Sequence, residues 1–170
     1  MTTVKDWLLA FCEWCNASFF GHAIRDSVWL FPFVEIFHLL ALAALGGSML
    51  VLNMRLIGVG FRTDAVSLLA RDLRPWIVGS IIVMLISGFL LFSTEAVKMY
   101  GNWAFQLKMT FLVLSILFTF TIHRRVTSRD DASAGARWSA AVVATLLWTG
   151  VGLGGRALGF VTTAVSAATP

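Results

Sequence analysis

Charge is what this sequence has least of: nine acidic and thirteen basic residues make up 13% of the chain, while 58% is hydrophobic. A small soluble domain could not hide that much apolar surface, whereas a bilayer core requires it. Cysteine is nearly absent, and Cys12 and Cys15 are too few for a disulfide framework. No histidine follows Cys15, so the C-x-x-C-H signature of covalent haem attachment is missing. The first thirty residues lack a signal-peptide pattern, because Glu13 and Asn16 break their apolar part. Export would then rest on the first membrane helix. The serine and cysteine nucleophiles have no general base nearby in the expected topology, which leaves hydrolysis and group transfer without a seat.

What is present is a series of long apolar runs. They predict an all-α integral membrane four-helix bundle with a short N-terminal interfacial helix. The spans fall at about residues 30–52, 75–97, 104–122 and 138–160, each close to the roughly 20 residues that cross a bilayer. Residues 1–27 read as an amphipathic interfacial segment with Trp7, Trp14, Phe19 and Phe20 toward lipid. Residues 28–163 form the four-span domain, and 164–170 a flexible tail. Pro75 suits the first turn of its span.

The net charge of +4 sits at the ends of the apolar runs, so it reads as topology rather than as a nucleic-acid footprint. Arg55, Arg62, Arg71 and Arg74 lie in the first connection, and Arg124, Arg125, Arg129 and Arg137 in the third. The second connection offers only Lys98. The positive-inside rule then places the chain in a bacterial inner (cytoplasmic) membrane with basic loops cytoplasmic and both termini periplasmic.

Rise per residue sorts the polar side chains by depth. His38, Lys108 and Glu35 come out about 5, 8 and 9 Å to the outer side of the span midpoints, with Arg156 near 10 Å and Glu95 near 13 Å. Five ionisable residues from four spans therefore share one outer layer. His123 falls roughly 15 Å to the inner side. A single haem clamped between His38 and His123 is excluded by their axial separation of about 20 Å.

Two accounts of the outer layer compete. In the plainer one, Glu35, Lys108, Arg156 and Glu95 neutralise one another and fasten the bundle, although buried pairs need good geometry merely to break even. In the sharper one, His38 ligates a b-type haem, with Lys108 and Arg156 on the propionates and Glu35 orienting a ring nitrogen. Glycines of the fourth span would make room for the macrocycle and Trp148 would stack on it. The second axial position could fall to His22, to Met109 or stay open, so His38 and His22 are the candidate metal ligands. A quinone site would use the same groups: His38 hydrogen-bonding a carbonyl, Glu35 taking a proton, Lys108 steadying the anion, Trp148 packing the ring. His123, Arg124 and Arg125 suit a helix C-terminus and anionic headgroups, with a link between Asn53 and His123 as a further option.

The stretches Glu35-Ile36-Phe37-His38-Leu39-Leu40, Arg55-Leu56-Ile57-Gly58, Gly88-Phe89-Leu90-Leu91-Phe92, Lys108-Met109, His123-Arg124-Arg125, Leu147-Trp148 and Gly155-Arg156 together carry a resemblance. They resemble an uncharacterised family of small bacterial four-helix integral membrane proteins. That family is itself distantly similar to the membrane domain of copper resistance protein D and to membrane cytochrome b proteins. The resemblance implies the four-span fold, and its distant members imply haem or copper handling through His38 and His123. The chain departs from the pattern at Asn53, where related sequences often carry an acid, and in the Cys12/Cys15 pair. Met49, Met54, Met84, Met99 and Met109 are scattered over different depths, which argues against copper transport.

The expected function is thus a membrane electron-transfer subunit carrying haem b, quinone or both. Its partners would be the lipid bilayer and membrane or periplasmic redox subunits, with no nucleic acid. The alternatives are a structural or assembly subunit without its own cofactor and a copper or small-solute transport protein. A conducting path would have only Ser115 and Thr119 between Lys108 and His123.

Overall fold

A computed structural model describes the backbone of residues 4–60 and 65–168 and the side chains of residues 6–60 and 65–158. Arg62 and the last two residues of the C-terminal tail lie outside the described residues. All regular structure among them is helical: α1 (Val4–Asn16), α2 (Phe19–Asp26), α3 (Leu30–Leu56), α4 (Val66–Thr94), α5 (Ala96–Tyr100), α6 (Trp103–Phe118), α7 (Arg124–Thr127) and α8 (Ala134–Ala168). A π-helical turn, Thr119–His123, joins α6 to α7. Four helical segments are membrane-spanning: α3, α4, the Trp103–Thr127 run and α8.

The N-terminal segment is two helices rather than one. Ser18 separates them: its Oγ accepts the Gly21 N–H at 3.1 Å and its hydroxyl donates to the Cys15 carbonyl at 2.6 Å. That local bonding satisfies one helix start and one helix end with a single side chain. Gly21 then lets α2 lie directly on α4, because a Cβ there would fall 2.7 Å from the Ser93 carbonyl oxygen. Cys12 and Cys15, one turn apart, are buried with Ala96 against Phe92 and Tyr100.

Helix α4 begins at Val66, well before Pro75, so this proline sits inside the helix rather than in its first turn. It leaves the Arg71 carbonyl without its helical donor. At 29 residues α4 is about 43 Å long, more than the hydrocarbon layer needs, so its arginine-bearing start projects past the apolar zone. Gly58 and Gly60, with φ of 81° and 77°, turn the chain out of α3 through conformations that side chains resist.

Packing is pairwise. Helix α3 packs most extensively on α4, and α6 on α8, while α3 against α8 joins the two pairs. Helices α4 and α6 hardly touch, apart from the rings of Phe92 and Phe105 stacked at 5.2 Å. The core runs through Leu45, Met49, Leu52, Ile81, Met84 and Trp148. Outside it, large apolar side chains such as Ile36, Leu40, Ile86, Leu146 and Leu153 stay exposed on the bundle's flanks. In water that surface would be untenable; in lipid it is the expected exterior.

Candidate functional site

His38 points from α3 to α4. Its Nδ1 lies 2.9 Å from Ser87 Oγ, and the Ser87 hydroxyl donates to the Val83 carbonyl at 2.6 Å. With the Ser87 hydroxyl given to Val83, Ser87 Oγ is left to accept from the ring, and in that tautomer His38 carries its proton on Nδ1 with the lone pair on Nε2. Gly88 makes the approach possible, since a Cβ there would stand 3.2 Å from His38 Cε1.

Lys108 of α6 lies within electrostatic range of His38 and is half-buried. Its stem rests on α8, where a Cβ at Gly154 would lie 3.1 Å from Lys108 Cβ and one at Gly155 would lie 3.7 Å from Nζ. Among the described residues no carboxylate pairs with it. Glu35, one turn beyond His38, is exposed, and so are Arg156 and His22. Glu95 pairs with Lys98 at 2.7 Å rather than with Lys108 or Arg156, so mutual neutralisation across the bundle is not how these charges are arranged.

Three expectations about neighbours change. Two glycines of α8 are not open space: a Cβ at Gly150 would fall 2.7 Å from the Phe111 ring and one at Gly154 3.1 Å from Lys108 Cβ, whereas Gly152 has nothing within 4 Å. They allow α6 and α8 to approach, as small residues do in membrane bundles. Trp148 does not join His38. Its indole N–H donates to Thr119 Oγ1 at 3.1 Å, which lies eleven residues, roughly 16 Å, along the helix from Lys108. His22 follows Gly21, whose contact is Ser93; Ser93 lies six residues, about 9 Å, farther along α4 than Ser87.

A second histidine site stands at the arginine-rich end. His123, 2% exposed, sits 2.9 Å by its Nε2 from Asn53 Oδ1. Asn53 Nδ2 donates to Thr145 Oγ1 at 3.0 Å, and the Thr145 hydroxyl donates to the Ala141 carbonyl at 2.8 Å. The same proton count runs through this chain: Thr145 accepts, the Asn53 amide donates, and Asn53 Oδ1 must receive the Nε2–H of His123. Three helical segments are thus fastened by one buried bond and one part-buried bond. The π turn contributes both Thr119 and His123 to the interior, and Ser115 and Thr127 continue the same buried stripe. Such turns widen the helix by one residue and recur at functional positions.

Beside His123 a cavity of about 330 Å³ opens between α4 and the π turn with α7. Arg71, Arg74 and Arg124 line it together with apolar Leu52, Ile77 and Val78. At the margin Asp130 accepts from the Ser67 hydroxyl at 2.6 Å and from its backbone N–H at 3.1 Å, tying the α7–α8 loop to the start of α4. The Ser67 hydroxyl, then the Ser67 N–H, hold the Asp130 carboxyl below its ordinary pKa.

Cys12 and Cys15 are shielded thiols. Burial pushes both upward from the ordinary thiol range, with Glu13 adding to the rise at Cys12 and Cys12 to that at Cys15. Raised thiols are poor nucleophiles and poor soft-metal ligands at neutral pH. Among the described residues, no three His, Cys, Asp or Glu side chains converge in a way that would hold a metal ion.

Sequence reasoning placed His38 and Lys108 at one level, but it did not single out Ser87 or Thr145. The adjacency Ser87-Gly88 in an apolar run was the available signal for the first. Nothing in the spacing distinguished Thr145 from other span hydroxyls. No curated protein and no solved structure matches this chain. Residues 11–161 match a family of unknown function (DUF6644), and the four-span integral membrane chain described here belongs to it.

Proposed function

We propose that this chain is an electron-transfer subunit of the bacterial inner membrane that binds a quinone head group at His38, near the periplasmic side. The observation that carries the reading is the Ser87 anchor at His38 Nδ1, which in the Nδ1–H tautomer gives Nε2 as an acceptor, beside a lysine that no carboxylate among the described residues pairs with. A bound quinol would donate its hydroxyl to Nε2, and Lys108 would favour the quinolate oxygen left behind. Glu35, one turn away and exposed, would pass the proton outward. The electrons would leave to a one-electron carrier in a membrane or periplasmic partner subunit. A flat ring would enter from the lipid between α4 and α6, whose rings Phe92 and Phe105 stack at 5.2 Å. The arginine-rich connections favour the orientation with basic loops in the cytoplasm and both termini outside.

A b-type haem on His38 is the second reading. An imidazole whose Nδ1–H is held by a hydrogen bond is oriented as axial ligands require. The resemblance of the sequence motifs, through their family, to copper resistance protein D and membrane cytochrome b proteins would imply the same, although no curated protein matches the chain. Against it, Phe111 and Lys108 occupy the space at Gly150 and Gly154 that a macrocycle would need, and His22 stands farther out along the bundle.

The test is the content of the protein purified in mild detergent: solvent-extracted quinone by chromatography, and oxidised and dithionite-reduced spectra. Wild type should carry quinone, His38→Ala should lose it, and Lys108→Met should lower it several-fold. A colourless wild type without quinone would sink both readings and leave a bundle subunit without its own cofactor.

A further inference from the structure

The arginine-rich end has a feature that topology alone does not require. Positive residues near a membrane face need only lie on the right side of the bilayer. Here Arg71 and Arg74 of α4 and Arg124 of α7 converge from two separate elements on one cavity. Among the described residues every charged group lining it is cationic: Asp72, between Arg71 and Arg74 on α4, is not part of the lining, and Asp130 is engaged by Ser67. The remaining wall is largely apolar, through Leu52, Ile77, Val78 and Phe120, with hydroxyls at Ser67, Thr119, Thr127 and Ser128. The cavity lies between two membrane-spanning segments, α4 and the Trp103–Thr127 run.

A cationic group beside a largely apolar cleft between two membrane-spanning segments matches one class of molecule in its surroundings. We infer that this cavity is a binding site for an anionic phospholipid, whose phosphate sits among Arg71, Arg74 and Arg124 and whose acyl chain follows Ile77, Val78 and Phe120 between α4 and the π turn. Arginine forks suit phosphate oxygens, and each basic residue near an anionic surface strengthens attachment by about fivefold. A free phosphate would gain the arginines and nothing from the apolar wall. A zwitterionic lipid would gain the wall while bringing its own cation to the arginines. The bound lipid would cover the side of His123 that the Asn53 network leaves facing the cavity.

The experiment uses the full chain in nanodiscs of phosphatidylcholine, with phosphatidylglycerol added in steps and bound lipid counted by native mass spectrometry. Wild type should retain phosphatidylglycerol in preference to phosphatidylcholine, saturating at a single tightly held copy. Arg71→Gln with Arg74→Gln should weaken that copy about thirtyfold, the product of two such contributions. Arg125→Gln with Arg129→Gln removes the same charge from the same end and should leave it nearly intact. Val78→Trp, which narrows the cleft without touching a charge, should also weaken it. Equal losses in the two double variants would overturn the site in favour of a general surface field. Equal retention of the two lipids would overturn it as well, and so would glycerol phosphate competing as strongly as the lipid.

Discussion

The two ends of the bundle solve the same problem differently. Each holds a histidine through a side-chain contact at one ring nitrogen. At one end Ser87 holds His38, and that serine's own proton is already bonded to the Val83 carbonyl, so the anchor survives without the ring. At the other end His123 is the donor that satisfies Asn53, which in turn bonds to Thr145. Removing His38 leaves no buried acceptor abandoned; removing His123 does. The difference separates the side chain proposed to meet a quinone from one that fastens helices, although the residue type and its membrane setting are shared.

That contrast is sharpest in stability. His123→Ala should cost about 2–3 kcal/mol, because Asn53 Oδ1 loses its donor in a dry interior and the ring leaves a void. His38→Ala should cost about 1 kcal/mol or less, the net value of one hydrogen bond to a serine that stays satisfied. Thermal unfolding of both variants in the same detergent measures the gap, and equal losses would erase the distinction between the two ends. Gly88→Ala is the gentler probe. Its methyl would press on His38 Cε1 at 3.2 Å and turn the imidazole, lowering quinone content with little change in melting temperature. A melting temperature that fell while quinone stayed bound would move His38 into the structural class.

The smallest effect concerns the loop at the arginine-rich end. Asp130 has a depressed pKa in the folded protein, so its tether to Ser67 is fully present above the ordinary carboxylate value and is lost as pH falls through the depressed one. Hydrogen exchange at the start of α4 should therefore quicken only in acid, and Ser67→Ala should quicken it at neutral pH. Exchange at His38 and its neighbours should not follow, which keeps the two ends separate in this observable too.

Much of this was legible beforehand, and the exceptions share a cause. Span number and the shared depth of His38 and Lys108 follow from counting residues at a fixed rise, which needs no partner. The Ser18 break between α1 and α2, the interior position of Pro75 and the filled glycines at 150 and 154 were not legible. A helix in lipid is apolar on all sides, so periodicity does not mark the face that meets another helix. Trp148 illustrates the cost. It shares a face with Arg156 in α8, yet its partner is Thr119, because the tilt and approach of α6 on α8 decide which turn meets which.

Composition and spacing by themselves determined that this chain crosses a bilayer four times and that its ionisable side chains are sorted into layers, since transfer of apolar surface and a rise of 1.5 Å per residue are local quantities. Only the tertiary structure decided which hydroxyl holds which histidine, what fills each glycine and where the arginines converge. Those outcomes depend on how two helices approach across a distance of a few ångströms, and a hydrogen bond or a Cβ contact is made or lost within less than that.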